Sequence, residues 1–445
     1  MERFIMQDLI KWKDSKYRKP LILKGARQVG KTWSLKHFGN KNYKNIAYFN
    51  FEENPDLKQF FELTKDVERI LQNLTIFSGI SIEPERTLII FDEIQECPEA
   101  INTLKYFYEN APEYHIVSAG SLLGISLAKS SFPVGKVDFL GLNPMTFTEF
   151  LLANEDQNLV TYLESIDRIE QIPDAFFNPL VEKLKMYYVI GGMPEAVYIW
   201  KKERNIDLIQ SVLANIAEAY ERDFAKHPSI TEFPKISLIW QSIPSQLARE
   251  NKKFIYNAVK SGARAREYED ALQWLVDADL VKKIYLSRAP GLPISSYDDL
   301  SAFKLYLLDI GILRRLSQLA PSVFGQGDRL FVEFKGALSE NYVLQSLINQ
   351  FEVHPRYWAQ NNPRYEVDFI IQRENEIIPI EVKADTNIRS RSLKKYQEKF
   401  GDKINLRVRF SLQNLKLDGD LLNIPLFLAD KTDHLIGLAF ESISS

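Results

Sequence analysis

The run Gly25-Ala26-Arg27-Gln28-Val29-Gly30-Lys31-Thr32 constrains this chain more than any other feature. It follows the apolar Leu-Ile-Leu-Lys and precedes a stretch with helical spacing, which is a strand, a glycine loop and a helix in succession. Glycines let such a loop curl until its backbone N–H groups converge on an anion. The start of the following helix adds partial positive charge. The eight residues therefore predict a phosphate site. Lys31 reaches the β- and γ-phosphates of ATP, and the Thr32 hydroxyl ligates Mg²⁺. Arg27 lies inside the loop, with its role open between nucleotide and a neighbouring domain.

A second run completes that site. Leu88-Ile89-Ile90-Phe91 is an apolar strand ending in Asp92 and Glu93. Asp92 is expected to hold the Mg²⁺ shell and Glu93 to orient and activate the attacking water. A third strand-like run, residues 114–118, ends in small polar residues, so Ser121 or Ser118 is a candidate contact to the γ-phosphate or the lytic water. Arg222, in Tyr220-Glu-Arg-Asp223, is the candidate arginine finger, although a solvated helix face is the plainer reading of that position.

At 445 residues the chain exceeds what one core usually serves, and it reads as several domains. No apolar run approaches the roughly 20 residues that cross a bilayer. The N-terminus lacks the apolar core and cleavage site of a signal peptide. One cysteine, Cys97, cannot pair within the chain, which fits a reducing, cytoplasmic setting. A net charge of -3 argues against non-specific coating of nucleic acid, while leaving room for a local basic groove.

Strands are predicted at residues 21–23, 46–51, 87–91 and 114–118, with helices at 32–38 and 56–78. This alternation predicts a parallel sheet. From Pro144 the pattern turns helical, through 145–154 and 207–224. Residues 251–286 read as helix, turn, helix and strand, and a second strand near 303–308 suggests a winged helix; a helical bundle with a hairpin would read almost the same. A long helix at 331–351 then precedes strands at 356–359, 366–372 and 377–384, a basic helix at 389–400 and a strand at 405–412.

In this last part Glu340, Asp368, Glu381 and Lys383 form a second constellation. The separation 381 − 368 = 13 suits adjacent strands of a hairpin, and residues 381 and 383 share one strand face. The pattern resembles the PD-(D/E)XK nucleases, with Val367 where their proline would stand. That resemblance implies Mg²⁺ or Mn²⁺ on Asp368 and Glu381, water positioned by Lys383, and a further ligand from Glu340. Mutual repulsion and burial are then expected to raise carboxylate pKa values without metal. Surface Glu-x-Lys pairs of a solvated sheet are the bland alternative. Arg389, Arg391, Lys394, Lys395 and Lys399 could track a phosphate backbone or equally form a solvated face.

The stretches GARQVGKT, IIFDEIQECPEA, SAGSLLG, FPVGKVDFLGLNPMTFTEFL and GGMPEAV resemble a family of bacterial and archaeal AAA-type ATPases with a C-terminal domain like restriction endonucleases. The resemblance implies an ASCE-type P-loop NTPase core with the Asp92 strand beside the P-loop strand, followed by a helical lid and a winged helix. The expected fold is thus α/β in four parts: a P-loop core at 1–165, a helical lid at 166–228, a winged-helix-like part at 229–328 and a restriction-endonuclease-like α/β domain at 329–445. Expected partners are ATP, Mg²⁺, and DNA or another nucleic acid, or a protein docked on an inactive nuclease-like domain; the membrane is not among them, and an oligomer is allowed. A helicase-like motor fits less well, since no helicase motif series or second nucleotide site is present.

Overall fold

A computed structural model of the chain describes residues 1–121, 133–225, 232–249, 252–321, 333–361, 364–383 and 390–444. The chain divides into two compact units, one made of 2–143 with 273–280 and the other of residue 1, 144–272 and 281–445.

The first unit is built on five strands: β1 (Leu21–Lys24), β2 (Asn45–Asn50), β3 (Thr87–Asp92), β4 (His115–Ala119) and β5 (Asp138–Gly141). They form one sheet in the order β2-β3-β4-β1-β5, and every pairing is parallel. All of β3 is buried, as expected for a strand covered on both faces. The register sets Asn50 beside Asp92, Phe91 beside Ser118 and Leu23 beside Ala119. The C-terminal ends of β1 to β4 therefore share one sheet edge.

Two expectations need correction here. The strand carrying Asp92 is not beside the P-loop strand, because β4 lies between them. Hydrophobic runs do not encode strand order. The inserted strand moves Asp92 about 10 Å along the sheet, two strand spacings, and the loop and helix after β1 span that gap. The predicted helix at 56–78 is likewise broken, into Lys58–Glu62 and Val67–Ser78. Between them Thr64 Oγ1 accepts from Asp66 N at 3.0 Å, and Asp66 Oδ1 accepts from Glu68 N at 3.0 Å. These side chains offer the backbone a cap in place of a continued helix.

The second unit opens with helices, including Phe147–Ala153, Asp174–Ile190, Pro194–Glu203, Ile206–Phe224 and Phe233–Leu247. Its eight-stranded sheet begins with the antiparallel pair β6 (Val281–Ser287) and β7 (Asp298–Leu307). Strands β8 (Arg356–Asn361), β9 (Arg364–Arg373) and β10 (Glu376–Val382) then run antiparallel. The helix Arg391–Phe400 leads to β11 (Arg407–Ser411), parallel to β10, and β12 (Lys416–Asp418) and β13 (Leu421–Pro425) complete the order β12-β13-β11-β10-β9-β8-β6-β7. The long helix expected at 331–351 is shorter in its described part. Gly336, at φ 74, lets the chain turn, and the helix runs only over Ala337–Ile348. Among the described residues no helix is long and apolar enough to cross a membrane.

The Gly191-Gly192 pair has a packing explanation within this second unit. A Cβ on Gly191 would lie 2.3 Å from Asp309 Oδ1, and one on Gly192 would lie 2.2 Å from Met145 O. Asp309 is buried and accepts from Gly192 N at 2.6 Å and from Ile312 N at 3.0 Å, the second bond capping the helix Ile310–Leu316. Arg314, also buried, donates to Val189 O at 3.1 Å, Leu319 O at 2.8 Å and Gln210 Oε1 at 2.8 Å. Three helices are thereby pinned together through polar contacts.

Candidate nucleotide site

The loop after β1 is bent by positive φ at Gly25 (147°), Gln28 (64°) and Gly30 (96°). Gly30 starts the helix Lys31–Asn42 without any side-chain cap, so the helix terminus is open to an anion. Arg3 ties the loop down by donating to Val29 O at 2.9 Å and Asn143 O at 2.7 Å. A Cβ on Gly25 would meet Leu142 O at 2.2 Å, and Leu142 N donates to Lys24 O at 2.8 Å. Gly25→Ala therefore combines a strained φ with a backbone clash. Nucleotide affinity is expected to fall by at least about tenfold in a titration; unchanged affinity would mean that the loop does not set the site.

Lys31 is buried and donates to Gly25 O at 2.8 Å and Ala26 O at 2.7 Å. Burial pushes its pKa down to about 8, against the pull of Glu93 and Asp92. Thr32 Oγ1 donates to Asp92 Oδ2 at 2.8 Å, and Tyr48 Oη donates to the same oxygen at 2.8 Å. Asp92 Oδ1 accepts from Glu93 N at 3.1 Å. Glu93 sits at φ 49, and its Oε2 accepts from Gln95 Nε2 at 2.5 Å and from Ser121 Oγ at 3.4 Å. Arg27 Nε in turn donates to Ser121 Oγ at 3.3 Å.

The structure thus brings Arg27, Lys31, Thr32, Asp92, Glu93 and Ser121 to one sheet edge. Ser118 lies inside β4 with its buried Oγ unpaired among the described residues. Arg222 belongs to the other unit, on an exposed face of Ile206–Phe224, and pairs with Glu218 at 2.6 Å. Sequence reasoning did not single out Tyr48 or Gln95, since neither stands in a motif. The arrangement fits a phosphate with Mg²⁺: an open helix start, a buried ammonium, and a hydroxyl and carboxylate already within bonding distance of one another.

In the second unit Glu340 lies on Ala337–Ile348, Asp368 on β9, Glu381 on β10 and Lys383 just past it. Asp368 Oδ2 accepts from Val382 N at 2.8 Å, and Lys383 pairs with Glu381 Oε1 at 2.8 Å. Glu340 pairs with Lys252 and accepts from Tyr306 Oη at 3.1 Å. Burial, and then Glu340, pushes the Asp368 carboxyl up to about 7. Among the described residues no three histidine, cysteine, aspartate or glutamate side chains form a metal-holding group. Of the basic helix, Arg389 lies outside the described residues. Lys395 pairs with Glu398 at 3.3 Å, and Lys399 stands 5.5 Å from the Trp358 ring centre.

Residues 17–151 match the AAA domain family, in agreement with the parallel sheet and its loop. Residues 181–323 match a domain of unknown function (DUF8612), and residues 335–427 match another (DUF4143). Comparison with curated proteins gives no match. Among solved structures the chain is similar to the ORC1 protein of Aeropyrum pernix in complex with DNA, at 14% identity and TM-score 0.28 over 71% of this chain and 90% of that one. It is also similar to the RuvB Holliday junction branch migration motor of Thermotoga maritima (15%, TM-score 0.30, 63% and 89% covered) and to AMPPCP-bound DnaA from Aquifex aeolicus (12%, TM-score 0.23, 62% and 86% covered). TM-scores of this size do not extend to a shared overall architecture.

Proposed function

We propose that the chain is a Mg²⁺-dependent ATPase whose nucleotide state acts on its C-terminal domain. The observation that carries the first part is the bond from Thr32 to Asp92, which joins the loop to the end of β3 across the width of β4. In this reading residues 25–30 wrap the phosphates with backbone N–H groups. Lys31 exchanges its loop carbonyls for β- and γ-phosphate oxygens. Bound Mg²⁺ offsets phosphate charge, with Thr32 and Asp92 as its protein ligands. Glu93, steered by Gln95 and Ser121, takes the proton of the attacking water. Purified protein should hydrolyse ATP with Mg²⁺ and stop on chelation by EDTA. Turnover indifferent to EDTA would refute the metal's role.

The four-part organisation, 1–165, 166–228, 229–328 and 329–445, belongs to the same proposal, as does a cytoplasmic setting. A winged-helix-like part is supported by the helices Phe233–Leu247 and Ala265–Asp277 followed by the β6–β7 hairpin. A nuclease-like C-terminal core is supported by a helix, three antiparallel strands, a second helix and a parallel strand. DNA or another nucleic acid is the partner this core suggests. The second reading is a signalling or scaffold ATPase that docks a protein on a non-cutting domain. The Lys252 partner of Glu340, which no nuclease pattern calls for, favours this second reading.

A further inference from the structure

The carboxylates of the C-terminal domain have partners that no nuclease pattern anticipates. Lys252 pairs with Glu340, and Lys304, without exposed surface, pairs with Glu366. Lys304 and Tyr306 share one face of β7, as Glu366 and Asp368 share one face of β9. The Tyr306 and Phe369 rings meet at 5.7 Å. Asn341, next to Glu340, donates from Nδ2 to Leu307 O at 3.1 Å and accepts at Oδ1 from Leu307 N at 2.9 Å. One helix thus grips β7 by its backbone and Lys252 by its charge.

A small divalent ion such as Mg²⁺ takes oxygen ligands at roughly 2.0–2.1 Å, one or two of them carboxylates with free lone pairs. Here both oxygens of Glu340, one of Asp368 and one of Glu381 already accept bonds. Two buried ammonium groups nearby would also repel an incoming cation, strongly so away from water. The ammonium groups of Lys252, Lys304 and Lys383 face the carboxylates of Glu340, Glu366 and Glu381. Three of the carboxylates are thus matched one to one by ammonium groups without any ion.

We infer that the chain's own lysines, Lys252 and Lys304, replace the divalent metal in this domain and form an ionic clasp that ties Lys252 and β7 to the C-terminal core. The inference rests on reading Glu340, Asp368, Glu381 and Lys383 as a nuclease-like constellation. The Glu340 carboxylate, which loses its ammonium partner when Lys252 is removed, is where a cation would bind if the lysines were removed.

The test is Mn²⁺ binding to the full-length protein without nucleotide, so that any ion at the P-loop cancels between variants. Wild type and Asp368→Asn should bind the same number of ions. Lys252→Met with Lys304→Met should gain one ion, and a further Glu340→Gln should remove it. Loss of an ion in Asp368→Asn overturns the clasp while strengthening the nuclease reading. A folded double variant that gains no ion overturns it as well. If the double variant does not fold, melting temperatures decide. Glu340→Gln should restore most of the loss caused by Lys252→Met alone, because it removes the stranded charge, and losses that simply add would overturn the clasp.

Discussion

Replacing Glu93 by glutamine leaves nucleotide binding in place and lowers ATP turnover by about 10²- to 10⁴-fold. The amide has nearly the same shape, and its oxygen can still accept from Gln95 and Ser121, so the end of β3 keeps its geometry. It cannot accept the proton of an attacking water. Steady-state turnover measured beside nucleotide affinity separates the two effects. Turnover within about threefold of wild type would remove Glu93 from the chemistry and leave Asp92 as a binding group alone.

The second large effect concerns stability. Asp309→Ala leaves two buried backbone N–H groups, of Gly192 and Ile312, without their acceptor, and deletes a helix cap. Each unsatisfied group costs roughly 1–3 kcal/mol, the Ile312 bond being itself the lost cap, so a loss of about 2–6 kcal/mol is expected. The pH dependence has a definite sign. Burial raises the Asp309 carboxyl to about 6, above its unfolded value near 3.9. A raised carboxyl adds stability that is complete below the unfolded value and lost as pH rises through about 6. The advantage of wild type over Asp309→Ala should therefore be larger at about pH 5 than at about pH 8, by about 1 kcal/mol. Urea unfolding of both proteins at the two pH values measures it. Equal differences would mean that Asp309 titrates alike folded and unfolded.

The elements that could be read from the sequence are those with strong local grammar. The strand, loop and helix around Gly25 to Thr32, and the apolar run ending at Asp92 and Glu93, lie where a reader of the chain would draw them. Strand order was not legible, because β4 enters between β1 and β3 through a crossover that no residue announces. Tyr48 was missed because it reaches Asp92 from a neighbouring strand, a contact made only in three dimensions. Lys304 did leave a signal, a lysine within the apolar run Ala302-Phe-Lys-Leu-Tyr-Leu-Leu308. A charge buried there needs a partner, but nothing local identifies Glu366 as that partner. The strand β5 went unread because only alternate residues of Asp138–Gly141 are partly buried, at the edge of the sheet.

The central claim is that the loop around Lys31 binds the phosphates of ATP. It is tested most directly by titrating full-length wild type and Lys31→Ala with ATP in the presence of Mg²⁺. The wild-type protein should bind saturably, and the variant should lose about 10²- to 10³-fold or more in affinity or turnover, since it lacks the buried ammonium that the loop carbonyls hold. Equal affinity and equal turnover in the two proteins would contradict the account.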